Sequence, residues 1–253
     1  MRITPIGNGV GDRLMVTAFV REFKRAWPEE PVTVDERRYP WIWNHNPRIN
    51  WGTMRGSSRG LFADPISACF QRNSGNENPP WNMCRANGIA PLDTTPEIFL
   101  TDRELGFGPL ALSGLTRPVV ALDWHAMDEL RRWPVDRFRA VVELLRARGV
   151  TTVEVGGHAP ALGTDRALSV GLHYVQTAAI LAACDLYVGN DSGTFHLAAS
   201  VGTPQVVLFG PVRAAARAYR STTGYDDMLE VMPDEIAEKV CDSLKYAAAI
   251  HHN

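Results

Sequence analysis

Apolar, β-branched runs alternate with helix-length segments from residue 118 to residue 209, and only short links separate them. Pro118 to Leu122, Thr151 to Val155, Asp185 to Val188 and Pro204 to Phe209 read as strands. Between them, Pro134 to Gly149, Gln176 to Ala183 and the stretch from Gly193 to Val201 read as helices. Short links between alternating strands and helices predict a parallel sheet with helices on both faces. Pro118 to Leu122 is a short apolar run, as expected of a buried strand, and Thr151 to Val155 is β-branched. Local signals agree. Pro134 suits a first helical turn, Phe138, Val141, Val142 and Leu145 share one helix face, and Gly149 and Gly202 suit the positions just past a helix end. Sheets of this kind bind ligands at the carboxyl ends of their strands.

The chain opens in the same way. Arg2 to Ile6 reads as a strand, Gly7-Asn8-Gly9-Val10-Gly11 as a turn, Asp12 to Ala26 as a helix ended by Pro28, and Val32 to Val34 as a second strand. Periodicity then fades over residues 39–100, which are rich in Trp, Asn, Pro and Arg. Thr101 to Pro118 holds three glycines and two prolines and reads as a hinge. The expected division is a first domain over 1–112, a second over 113–232 and a last helix over 233–253, opened by Asp234 and Glu235.

Composition narrows the function classes. Hydrophobic residues at 45% and charged residues at 21% exclude a disordered or fibrous chain, and a net charge of −2 excludes a polycation. Cys69, Cys84, Cys184 and Cys241 form no C-x-x-C pair, which fits a reducing compartment. The N-terminus has no apolar leader, and the longest run of small apolar residues, Ala178 to Cys184, is far below the roughly 20 residues that span a bilayer. The expectation is a cytoplasmic chain with no integral membrane segment. Residues 1–60 hold ten basic residues against six acidic ones, and residues 39–51 add Tyr39, Trp41, Trp43 and Trp51. Two readings stand: a surface for an acidic acceptor, glycolipid or nucleic acid, or the aromatic core of a small domain.

Three segments carry candidate chemistry. In Gly189-Asn190-Asp191-Ser192-Gly193-Thr194-Phe195-His196, a strand passes into a helix whose free N–H groups at Gly193 and Thr194 suit phosphate. Asp191 is a candidate acceptor for sugar hydroxyls, and His196 lies one turn on from Ser192. Equally, Asp191 or Ser192 caps the helix and His196 is a core imidazole. Around Gly7 to Asp12, Gly9 and Gly11 allow a ligand close to the backbone. Asp12 there is a general base or a cap, and it stands where a dinucleotide site would have glycine. With Asp35 downstream, a nicotinamide-dependent dehydrogenase stays an alternative. Arg131, before Trp133-Pro134, suits a diphosphate or is a solvated cation. There is no Asp-x-Asp and no cluster with metal-ligand spacing, so no metal and no cofactor are expected.

Taken in order, Gly9-Val10-Gly11-Asp12-Arg13-Leu14, Arg131-Arg132-Trp133-Pro134 and Tyr187 to Ala199, continuing through Gly202-Thr203-Pro204 to Leu208-Phe209-Gly210-Pro211, resemble the heptosyltransferase-like family of glycosyltransferases. The resemblance implies an α/β fold of GT-B type, in which two Rossmann-like domains with parallel sheets face a cleft and the C-terminal helix crosses back to the first domain. It implies transfer of a sugar from a nucleotide-sugar donor to an acceptor hydroxyl, with inversion and without a metal. The acceptor it implies first is a cell-envelope saccharide or glycolipid, with modified nucleic acid or a small metabolite as alternatives. Carried over, Asp12 matches the general base and Asp191 the sugar-contacting aspartate. Ser192, Gly193, Thr194 and His196 match the diphosphate-holding helix start, and Arg131 falls where the family has a lysine. Gly9, Gly11 and Gly156 complete the expected binding residues. The chain departs from the pattern in its shorter first domain and after Gly156-Gly157, where His158 stands in place of an acidic residue. Donor identity is left open. A binding module without turnover is the remaining alternative, and oligomeric state is not legible.

Overall fold

A computed structural model describes residues 1–3, 9–50, 79–210, 214 and 217–251, the backbone alone from 246 onward. Gly7 and Asn8 of the first turn, Trp51, Arg55, Arg59, Cys69 and Pro211 lie outside the described residues.

The larger sheet has six parallel strands, β3 (Val119–Asp123), β4 (Thr151–Glu154), β5 (Arg166–Ala167), β6 (Leu186–Asn190), β7 (Gln205–Leu208) and β8 (Thr222–Tyr225). Their spatial order is β5-β4-β3-β6-β7-β8. Counted from β3, this is the 3-2-1-4-5-6 order of a doubly wound Rossmann sheet, which reverses between its first and fourth strands. Here the reversal falls between β3 and β6, where Asp123 pairs in register with Gly189. Both strands are buried along their whole length, which is why they read as continuous apolar runs.

Alternate strand residues face opposite layers. Val120, Leu122, Leu186, Val188, Val206 and Leu208 pack against the helix Val135–Ala147 and the last helix, Pro233–His251. Val119, Ala121, Val153, Tyr187 and Val207 face the other layer, with the helices Tyr174–Ala183 and Gly193–Ser200. Pro134 stands one position outside its helix, as the residue before the first turn. The last helix lies on the second half of the chain through its described side chains, with Ile236, Ala237 and Val240 buried beside Phe138 and Val141.

In the first half, β1 (Arg2–Ile3) and β2 (Thr33–Val34) pair in parallel. Between them runs α1 (Val10–Ala26), two residues longer at its start than the sequence suggests, with Gly9 as its extended N-cap. Trp41 and Trp43, on a short 3-10 turn at Pro40–Trp43, are buried, and the helix α2 (Pro79–Ala86) adds Met83 and Cys84. Of the two readings of these aromatics, Trp41 and Trp43 take the core reading and offer no face to a nucleic-acid base. The local positive charge is largely answered within the chain, as in Arg2–Asp35 at 2.9 Å, Arg13–Glu36 at 3.0 Å and Arg25–Glu22 at 2.9 Å.

The stretch read as a hinge folds into α3 (Asp102–Leu105) and α4 (Phe107–Ala111). Thr101 and Glu104 close a capping box at its start. A Cβ at Gly108 would fall 2.0 Å from the Ala179 carbonyl oxygen, so this glycine lets α4 sit directly on the helix Tyr174–Ala183, α6 in chain order. With Val135–Ala147 as α5, the remaining helices are α7 (Gly193–Ser200) and α8 (Pro233–His251). One apolar cluster runs without a break from β1, α1 and Trp43 to α6, α7 and the near face of the large sheet. No described helix is long and apolar enough to cross a membrane.

Candidate active site

The site is built where the strand order reverses. After β6 the chain turns through Asp191 and enters α7, with Ser192 as its extended N-cap. Ser192 Oγ accepts from the Phe195 N–H at 3.4 Å and donates to Asp123 Oδ2, at the end of β3, at 3.4 Å. Both the capping reading of Ser192 and its place at a ligand-facing helix start are therefore compatible. Gly193 and Thr194 occupy the first turn, whose N–H groups have no intrahelical acceptor.

Asn190 does work the sequence reading did not assign. Its Nδ2 donates to the Trp124 carbonyl at 2.7 Å and its Oδ1 accepts from the Trp133 N–H at 3.0 Å. These two bonds fasten both ends of the loop that carries Arg131. Arg131 Nη1 consequently sits 3.2 Å from the Asp191 carbonyl oxygen and 3.6 Å from Asp191 Oδ2.

Asp191 is 1% exposed, and neither carboxylate oxygen has a hydrogen-bond partner among the described residues. Its other neighbour is His196, with Nε2 3.9 Å from Oδ1. His196 Nδ1 meets the Tyr219 hydroxyl at 2.5 Å. Burial first, then the positive charges of Arg217 and Arg131, hold the His196 pKa well below its ordinary value, so the imidazole is neutral. Tyr219 and Arg217 carry no signal in sequence spacing; the fold alone brings them to the site.

The start of α1 closes the other side. A Cβ at Gly11 would lie 2.4 Å from His196 Cδ2, and one at Gly193 would lie 2.5 Å from Val10 Cγ1. Two glycines, one on each helix, let the N-termini of α1 and α7 meet. Asp12, half-buried on α1, accepts from the Gly9 N–H at 3.0 Å through Oδ2. Asp12 is thus not the N-cap, which is Gly9, but the third residue of the helix, with one oxygen turned back to the cap's N–H.

Gly156 and His158 lie at the adjoining edge. Gly156 has φ +115°, and a Cβ there would fall 2.7 Å from His158 Nε2 and 3.0 Å from Asp123 Oδ1. His158 turns inward, Nε2 2.8 Å from Asp123 Oδ1. Burial pulls its pKa down, but the hydrogen bond and charge of Asp123, with help from the Ala159 carbonyl and Glu154, raise it overall. Glu154, fully buried, accepts from Trp124 Nε1 and from the Ala161 and Leu162 N–H groups at 2.9 to 3.0 Å. A sequence-level signal for Asp123 exists: an acid closing an apolar strand at the head of the sheet. No group of three or more His, Cys, Asp or Glu among the described residues is placed to hold a metal ion.

Residues 93–222 match the family model for glycosyltransferase family 9 (heptosyltransferase). The chain belongs to this family. The matched stretch contains Arg131, Gly156 and the whole Asp191–His196 segment of this family 9 glycosyltransferase. It is 26% identical to lipopolysaccharide heptosyltransferase 2 of Salmonella typhimurium over 256 aligned positions, 87% of this chain and 73% of that protein. Among solved structures it resembles a family 9 glycosyl transferase from Veillonella parvula DSM 2008, with TM-score 0.76, 16% identity and 97% of each chain covered. It also resembles the E. coli ADP-heptose lps heptosyltransferase II, with TM-score 0.69, 16% identity, and 98% of this chain and 100% of that one covered. These structural likenesses bear on the fold, which is α/β and of the heptosyltransferase GT-B kind. Membership makes the chain a heptosyltransferase-like glycosyltransferase; the dehydrogenase and the binding module are not favoured.

Proposed function

We propose that this glycosyltransferase moves a sugar from a nucleoside-diphosphate sugar to an acceptor hydroxyl with inversion and without a metal, Asp12 acting as general base. The observation that carries the reading is the buried Asp191 carboxylate, without a hydrogen bond, between Arg131 and His196 and opposite the start of α1. A buried acceptor of this kind calls for donors, and sugar hydroxyls supply them. In this reading the acceptor oxygen attacks the anomeric carbon as Asp12 takes its proton. The bond from that carbon to the diphosphate oxygen breaks, and the diphosphate leaves with the electron pair. The charge on the leaving diphosphate is met by the first turn of α7 at Gly193 and Thr194 and by Arg131. Residues 1–112 would hold the acceptor and 113–232 the donor, in the cytoplasm.

A related E. coli heptosyltransferase was solved with ADP, which puts ADP-heptose first among candidate donors. The named lipopolysaccharide relative puts a cell-envelope glycolipid first among acceptors. The test is a thermal-shift panel of ADP, UDP, GDP, CMP and dTDP, with and without magnesium, followed by transfer assays on Asp12→Asn. A nucleotide at 100 times its dissociation constant stabilises the fold by about 2.7 kcal/mol. Asp12→Asn should lower transfer by about 10²-fold or more and keep the nucleotide shift. Transfer at near wild-type rate by Asp12→Asn would remove the base assignment, and a shift that needs magnesium would remove the metal-free mechanism.

A further inference from the structure

We propose that Tyr219 is a positioning residue for the transfer reaction: its phenolic hydroxyl holds His196 in the tautomer that carries its proton on Nε2, so that the imidazole faces Asp191 as a hydrogen-bond donor and not as a base. Both rings are buried, and among the described residues the Tyr219 hydroxyl has no hydrogen-bond partner other than His196 Nδ1, 2.5 Å away. A neutral imidazole offers one donor and one acceptor, so only two arrangements exist. If Nδ1 carries the proton, the bare Nε2 lone pair stands 3.9 Å from the Asp191 carboxylate, and the phenolic hydrogen has no acceptor among the described residues. If the phenol donates to Nδ1, both defects are removed: the phenolic hydrogen has its acceptor, and Nε2–H, not a lone pair, stands beside the Asp191 charge, beyond hydrogen-bond length.

The surroundings hold this arrangement in place. The Gly11 backbone closes on the Cδ2–Nε2 edge of the ring, and Tyr219 packs edge-on to it at 5.7 Å between centroids. The charged groups around the ring are Asp191 at the start of α7, Arg131 from the loop after β3 and Arg217 from the segment before β8, with Asp12 next to Gly11 on α1. Burial keeps the Tyr219 phenol protonated, and burial with the two arginines keeps the imidazole neutral. Asp191 thus has Arg131 beside Oδ2 and an N–H facing Oδ1, and a hydroxyl entering between Asp191 and His196 finds an acceptor on one side and a donor on the other.

The test uses the full chain with 15N-labelled histidine, read by two-bond nitrogen–proton correlation at neutral pH, the His196 signal being assigned by its loss in His196→Gln. The wild type should show a protonated Nε2 and a bare Nδ1. Tyr219→Phe, which keeps the ring, should bring in the Nδ1–H form and lower kcat about tenfold while the Kd for ADP changes less than about twofold. His196→Gln, whose amide N–H stands in for Nε2–H, should keep more activity than His196→Asn. An Nδ1–H tautomer in the wild type overturns the proposal, as does a Tyr219→Phe protein with an unchanged tautomer or an unchanged kcat. Should Tyr219→Phe fail to fold, the wild-type spectrum and the order of the two His196 variants decide. The kinetic arms rest on the transfer reading above; a wild type that transfers nothing overturns that reading, while the tautomer is still read from the spectrum.

Discussion

A buried carboxylate without a hydrogen bond is costly unless nearby charge or a ligand answers it. Asp191 in this chain is answered by Arg131 at 3.6 Å and, across 3.9 Å, by His196. The neighbouring acid, Asp123, is answered instead by His158, and that pair yields a pH signature. The His158 pKa in the fold is raised above the ordinary value near 6.5. The stabilisation is therefore complete below about pH 6.5 and is lost as pH rises through the folded value. His125, beside it, is lowered by burial and by the charges of Arg132 and His158, so it titrates below that window. The difference in unfolding free energy between wild type and His158→Gln, from urea titrations, should shrink as the pH rises above about 6.5. A constant difference would show that the pair does not change charge on folding. At this scale the sequence was legible where a residue's role is local. The capping of α7 by Ser192 follows from helix chemistry. The Asn190 bonds to Trp124 and Trp133, and the Tyr219–His196 pair, join residues whose nearness depends on the strand order, and no spacing rule carries that.

Among elements, the meeting of α1 with α7 is the contact on which the site depends. Both helices present glycine where they touch, and the methyl of Gly11→Ala would fall 2.4 Å from the His196 ring. Such overpacking costs about 1–3 kcal/mol when neighbours must shift. Since the ring is held on its far side by Tyr219, the variant should lose transfer activity by about tenfold or more while its Tm falls by only a few degrees. Unchanged kcat in Gly11→Ala would show that the two helix starts are free to move apart. Four strands and three helices from 118 to 209 were legible because their apolar runs and glycine stops are strong local signals, whereas β5, two residues long, gives no such signal. In the Thr101–Pro118 stretch, Gly108 looks like flexibility in sequence and in the fold serves close packing on Ala179. An amphipathic helix does not announce which surface it will cover; through its described side chains the last helix takes α5.

Across the whole molecule, the first half shares one apolar cluster with α6, α7 and the near face of the six-stranded sheet. Among its described residues the first half pairs two short strands, and a sheet of two strands is marginal by itself; the shared core adds to what holds it. Thermal unfolding followed by calorimetry should therefore show a single cooperative transition, with the van't Hoff and calorimetric enthalpies equal. Two resolved transitions would mean that each half keeps its own core. Sequence reasoning found the two strand–helix–strand beginnings and a candidate hinge between them; the continuity of a core is a property of the packed molecule and has no local signal.

The shared core also has a consequence for how the chain comes into being. Ile3, Leu14, Phe19 and Trp43 emerge from the ribosome before several of the surfaces in their cluster, those on α6 and α7, have been synthesised. Until then the segment that carries them has an apolar face without its final cover. Domains that fold during synthesis do so one after another. This one is bound to wait, and α1 should acquire protection from proteases on a nascent chain only after α6 and α7 have emerged.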